Sequence, residues 1–209
     1  QLHARNWDEL LRELRSRELD FFVAETSTLQ RESELEIAPM PTAHSVHFFA
    51  RAGHPLAGHG TVKVEEIFAY PFVSPSRIPP RILDPMLAAH RAGASARKNA
   101  LPFPSIQCNG LAPVKRILAN SDAISASILS CVATELELGQ LVLLGTAPWL
   151  HLHYGIVSLK GRPWTQAAEK FLEYVLQAER RAAAEEEHLL ERFRPGVRGR
   201  NARARSVAK

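Results

Sequence analysis

Trp7-Asp8-Glu9-Leu10-Leu11-Arg12-Glu13-Leu14-Arg15-Ser16-Arg17-Glu18-Leu19-Asp20-Phe21-Phe22-Val23 is the stretch that decides the fold. Leu10, Leu11 and Leu14 recur at helical spacing, and Asp8 stands in the first turn, where a carboxylate favours the helix dipole. Leu19 to Ala24 is an apolar run too short for a helix, which predicts a buried strand. An amphipathic helix thus runs through a short turn straight into a hydrophobic strand. Gln1 and Leu2 read as the end of an earlier strand, and no initiator Met precedes them. The expectation is that this chain lacks a first strand and whatever comes before it.

Working outward, Leu35 to Pro39 is predicted as a short edge strand and Ser45 to Arg51 as a second strand, closed by the turn Ala52-Gly53-His54-Pro55-Leu56. Val64 to Phe68 reads as a short helix and Pro71 to Val73 as a third strand. The prolines of Ser74-Pro75-Ser76-Arg77-Ile78-Pro79-Pro80 hold a loop, and Ile82 to Ala92 forms a helix ending at Gly93. Further strands are expected over Ser105–Cys108, Ala123–Ile128, Leu141–Leu144 and His151–Leu159, with helices over Pro113–Ala119 and Cys131–Leu138. Thr165 caps a long helix whose Ala168, Phe171, Leu172, Val175 and Leu176 make one apolar stripe, and which runs on into Ala182 to Phe193. Strands and helices alternate throughout, which predicts an α/β fold with largely parallel sheets.

The 209 residues, 45% of them hydrophobic, suffice for one medium domain or two small lobes. No run approaches the roughly 18 apolar residues of a membrane span, and no secretory signal opens the chain, so a cytoplasmic protein without membrane contact is expected. The sequence pI of about 9.3 is misleading. Arg194, Arg198, Arg200, Arg203, Arg205 and Lys209 put six positive charges in the last sixteen residues; of the formal +4, the body before Arg194 keeps −2. Residues 194–209 are read as a disordered basic tail, either solvated or adding non-specific affinity for DNA.

Catalytic and cofactor motifs are missing: there is no Walker-type phosphate loop, GxGxxG, GxSxG or HExxH. No cofactor is expected. His151 and His153 lie on one strand face, and with His44 and His47 would suit zinc or a pH sensor if the two strands ran side by side. Without an Asp, Glu or Cys at ligand spacing, hydrogen-bonded or solvent-facing histidines are the expectation, with no metal. Cys108 and Cys131 lack CxxC spacing and basic neighbours and read as buried structural thiols. The ligand signals are loops: Arg5-Asn6-Trp7 at a helix start, Ser74-Pro75-Ser76-Arg77 after the third strand, and Asn120-Ser121-Asp122 between a helix and a strand. Open α/β sheets bind small polar molecules at such strand ends.

These residues resemble a known family. Trp7 to Val23 is similar to the helix and "(G/R)-x-L-D" strand of the regulatory domain of LysR-type transcriptional regulators. Phe48 to Ala57 resembles that family's strand ending in "R-x-G-H-P-L", and Glu66 to Val73 its "D-L-x-x-Y-P-F-V" segment. Glu135 to Leu144, Tyr154 to Val157 and Ala167 to Glu173 resemble its closing segments, so the likeness covers roughly residues 1 to 176.

The resemblance implies two Rossmann-like lobes joined by two crossover strands, as in type 2 periplasmic binding proteins, with the first strand of lobe I missing. Lobe I would take residues 1–47 and 151–193, and lobe II residues 48–150. A small-molecule effector would bind in the interlobe cleft and change how a homodimer or homotetramer presents N-terminal helix-turn-helix domains to DNA. By position, the effector contacts implied are Asn6, Trp7, Ser74, Pro75, Ser76, Arg77, Ser121, Asp122 and Ser125, with Arg77 pairing an effector carboxylate. One departure is Asn120-Ser121-Asp122-Ala123-Ile124 in place of the family's "G-x-G-I", where Asp122 disfavours an anion nearby. Two other readings use the same scaffold: a free-standing solute-binding protein, and an enzyme with a nucleophile or base in the cleft.

Overall fold

The computed structural model describes Arg5 and residues 7–60, 62–74, 78–94, 102–108 and 110–193. The chain forms two units. Unit 1 holds the chain up to His44, Pro79–Arg81 and His151–Ala183; unit 2 holds Ser45–Ile78, Ile82–Leu150 and the chain from Ala184 on.

In unit 1, helix α1 (Trp7–Arg15) buries Leu10, Leu11 and Leu14. It stops because Arg17 enters the left-handed region at φ 64°. There Glu18 N–H donates to Glu13 O (2.9 Å) and Arg17 N–H to Leu14 O (3.1 Å), the paired bonds that satisfy the last carbonyls of a helix. Strand β1 (Phe21–Glu25) follows, and it pairs antiparallel with β7 (His151–Leu159), Phe22 opposite Val157. Leu10, Leu11, Leu14, Phe22, Leu29, Leu35 and Val157 make the core of this unit, each contributing on the order of 1.5–3 kcal/mol by burial. Helix α6 (Gln166–Phe193) begins where Thr165 Oγ1 accepts the Ala168 N–H (3.2 Å). Of its predicted stripe only Ala168 is buried, and Phe171 is exposed.

Strand β2 (Leu35–Arg51) corrects the sequence reading: it is one strand of 17 residues rather than two, hydrogen-bonded to β7 and, over its last residues, to β5 (Ser125–Ile128). Pro39 and Pro41 fit because they are two residues apart. Both missing N–H groups fall along one side of the strand, and the opposite side keeps its donors.

In unit 2 the second half of β2 pairs antiparallel with β5 (Phe49 opposite Ser125) and with β6 (Leu141–Gly145; Phe49 opposite Leu143). Phe48, Phe49 and Ala50 are fully buried. β3 (Val73–Ser74) pairs in parallel with β4 (Ile106–Gln107), and the bridge from Phe72 to Ile124 is also parallel. Largely parallel sheets were expected; β2 changes the balance, because the strands beside its second half run against it. The core gathers Phe49, Val73, Leu129, Val132 and Leu141, with Val114 and Leu118 from α4 (Leu111–Ala119) and Leu189 from α6. Further α-helices among the described residues are α2 (Val64–Ile67), α3 (Pro80–Ala94) and α5 (Ala133–Glu137). Helix α3 does not end at Gly93 but passes through it. A Cβ there would lie 2.6 Å from the Glu65 carbonyl, so the glycine permits a close approach and is not a stop.

Candidate functional site

Unit 1 contains a pocket of about 630 Å³ with mixed polar and apolar walls, drawn from four separate segments. Thr26 and Ser27 follow the end of β1, Thr42 lies on β2, Arg81 sits in the first turn of α3, and His153 and Tyr154 lie on β7. Local hydrogen bonds fix the walls. Thr26 Oγ1 donates to His153 O (3.3 Å), and Glu25 Oε2 accepts from Ser27 N–H (3.1 Å) and Oγ–H (2.6 Å). Arg81 Nη2 donates to His151 O and stands 3.6 Å from Glu25 Oε1. Buried Arg81 Nε has no protein partner. The His151 and His153 rings meet edge-on at 5.2 Å. Burial, then the Arg81 charge, then His153 push the His151 pKa down, so that imidazole is neutral at pH 7.

The arrangement offers guanidinium and hydroxyl donors beside a carboxylate and imidazoles, which suits holding a small polar molecule. Among the described residues no group of three or more His, Cys, Asp or Glu is placed to hold a metal. His44 is spent elsewhere: buried on β2, its Nε2 lies 2.7 Å from Glu179 Oε1 of α6. Cys108 is half-buried against the unit 2 core, but Cys131 is exposed, which corrects the expectation that both thiols are buried.

The residues singled out in the sequence have distinct positions. Asn6, Pro75, Ser76 and Arg77, and the tail 194–209, lie outside the described residues. Trp7 opens α1 in unit 1 and is 36% exposed. In unit 2 the bridge from Phe72 to Ile124 puts Ser74 and Ser125 on neighbouring strands, both buried, and Ser125 Oγ has no protein partner. Ser121 Oγ donates to Ile117 O (2.8 Å) and accepts from Ala123 N–H (3.3 Å), finishing the turn after α4. Asp122 Oδ1 accepts from Arg51 Nε (3.0 Å) and Nη2 (2.7 Å), and Asp122 O lies 3.2 Å from His54 Nε2. Sequence reasoning missed Arg81, Thr42 and Tyr154. Only His153 carried a signal, and it was weighed as a metal ligand.

The family model for the LysR substrate binding domain matches residues 1–180. This chain belongs to that family. As a LysR substrate-binding domain it is 32% identical, over 186 residues covering 87% of its length, to the SDS degradation transcriptional activation protein of Pseudomonas sp. (strain ATCC 19151). It spans 58% of that relative. Among solved structures it is similar to the Synechocystis PCC6803 CcmR regulatory domain in complex with 2-PG, with a TM-score of 0.65, 16% identity and coverage of 85% of this chain and 82% of that one. The effector binding domain of QuiR in complex with shikimate gives a TM-score of 0.60, 16% identity and coverage of 84% and 78%. The fold is therefore the two-lobed, type 2 periplasmic-binding-protein-like α/β fold of LysR regulatory domains. Among the described residues no helix is long and apolar enough to cross a membrane.

Proposed function

We propose that this LysR domain senses a small polar effector and thereby controls the DNA binding of a cytoplasmic transcription regulator that works as a dimer or tetramer. The observation that carries this reading is the unit 1 pocket, where Arg81, Thr42 and His153 converge on a space of about 630 Å³. Such a volume matches a metabolite, and the buried, unpartnered Arg81 Nε is a donor that a bound molecule or water would satisfy. Small molecules held by the CcmR and QuiR domains support the same reading. Likeness to a transcriptional activator favours a regulator over a free-standing solute-binding protein. Trp7, Ser74, Arg77 and Ser125 are proposed as further contacts.

A thermal-shift screen of small carboxylic, hydroxylated and aromatic metabolites tests this. A true effector at a hundredfold excess over its Kd stabilises the domain by about 2.7 kcal/mol. Arg81→Ala should lose that gain while unfolding near the wild-type temperature without ligand. Identical shifts in both proteins would sink the pocket assignment. Consumption of any screened compound would favour the enzyme reading instead.

A further inference from the structure

The Arg51-Ala52-Gly53-His54-Pro55-Leu56 stretch does more than close a strand. We propose that Arg51 and His54 form a latch that positions the loop Asn120–Ile124 ahead of β5, gripping Asp122 by its carboxylate and its carbonyl at once. Arg51 is the last residue of β2, and both of its bonds end on Asp122 Oδ1. On its own this pair contributes little, because both side chains are partly exposed, at 34% and 45%.

The buried arm is His54, 3% exposed, with the Tyr70 ring edge-on at 4.4 Å. Leu56 N–H donates to His54 Nδ1 (3.0 Å), so that nitrogen carries no proton. The proton must then be on Nε2, which donates to Asp122 O. One imidazole thus accepts on one side and donates on the other, a task for a single neutral tautomer. Immediately downstream, Ile124 N–H donates to Pro71 O (2.8 Å) and Val73 N–H to Ile124 O (2.9 Å), so the latched residue sets where β5 enters its sheet.

Protonation would place a second N–H against the Leu56 N–H and break the bond that orients the imidazole. Burial pushes the His54 pKa down and Asp122 pulls it back up, while the Arg51 charge lowers it; these charges and the Tyr70 ring face the imidazole. Arg51 and His54 are positioning residues, acting through Asp122. The latch holds the loop whether or not the loop touches an effector, so its failure and that of the effector reading are separate results.

Two substitutions separate the arms. In His54→Asn the side-chain oxygen can replace Nδ1 but nothing reaches Asp122 O; in His54→Gln the amide can replace Nε2 and keep the donor to Asp122. Amide hydrogen exchange at pH 7 should quicken about tenfold at Ala123 and Ile124 in His54→Asn, the effect of one lost buried hydrogen bond. Leu143 on β6 should stay unchanged, and His54→Gln should stay near wild type at all three amides. Wild-type exchange at Ala123 and Ile124 in His54→Asn, or equal quickening at Leu143, would overturn the latch. Should His54→Asn fail to fold, ¹⁵N spectra of the wild-type imidazole decide: protonated Nε2 with bare Nδ1 is required, and the opposite tautomer refutes the proposal.

Discussion

His44 on β2 and Glu179 on α6 form a buried pair in unit 1, with Nε2 and Oε1 2.7 Å apart and side chains 4% and 14% exposed. The Tyr154 ring stands edge-on to the same imidazole at 5.7 Å. Removing Glu179 takes a hydrogen-bond partner from a buried imidazole, which costs about 1–3 kcal/mol. Glu179→Ala should lower urea-unfolding stability by that amount. Glu179→Gln keeps an acceptor for the imidazole and should cost less than about 1 kcal/mol. Equal losses would mean that packing, not the hydrogen bond, matters at this position.

Acid should weaken the protein through two other histidines. Burial pushes the pKa of His47 down, partly offset by Glu186, and that of His54 down, partly offset by Asp122. Depressed folded-state values mean that above pH 6.5, the ordinary imidazole value, neither folded nor unfolded chain holds these protons. As pH falls below 6.5 the unfolded chain binds them first, so stability drops until the folded values are reached. Each proton contributes a slope of up to about 1.4 kcal/mol per pH unit. Urea midpoints measured from pH 7.5 to 5.5 should fall on the acid side, and His47→Gln should flatten the fall. A midpoint independent of pH would contradict both shifts.

Much of this fold was legible because local periodicity and burial agree. Leu10, Leu11 and Leu14 marked α1, and alternation marked His151–Leu159 with the bounds the structure gives. β2 was not legible as one strand: Leu35–Pro39 and Ser45–Arg51 read as two, and the prolines between and within them fit one strand because their missing donors share a side. Candidate-site residues divide in the same way. Ser74 stood out because strand ends are where α/β sheets bind, and Ser125 only through the family resemblance. Asp122 read as a free carboxylate because its partner, Arg51, lies 71 residues earlier. Arg81, Thr42 and His153 meet only through tertiary folding, and no spacing announces them.

Gly93 sets two effects against each other. Inside a helix, glycine to alanine gains about 1 kcal/mol of propensity. Here the added Cβ would sit 2.6 Å from Glu65 O, a backbone atom that cannot swing away. Overpacking of this kind costs about 1–3 kcal/mol, so the clash should win. Gly93→Ala should lower the thermal midpoint. A raised midpoint would mean that α3 can slide away from Glu65 at little cost.

Thr165 joins the start of α6 to the foot of β1. Its Oγ1 accepts the Ala168 N–H (3.2 Å) and donates to Asp20 Oδ2 (3.1 Å), while Asp20 Oδ1 is held by Arg162 Nη2 (3.3 Å). The hydroxyl therefore caps the helix and fixes a carboxylate at once. Losing an N-cap hydroxyl costs about 0.5–2 kcal/mol. Thr165→Ala should fall in that range, and Thr165→Ser, which keeps the oxygen, should stay within about 0.5 kcal/mol of wild type. The carboxylate adds a coupling that a plain cap lacks: Asp20→Asn should cost less in the Thr165→Ala background than in wild type, because its partner is already gone. Strict additivity of the two substitutions would show that the Thr165 to Asp20 bond contributes nothing beyond the cap.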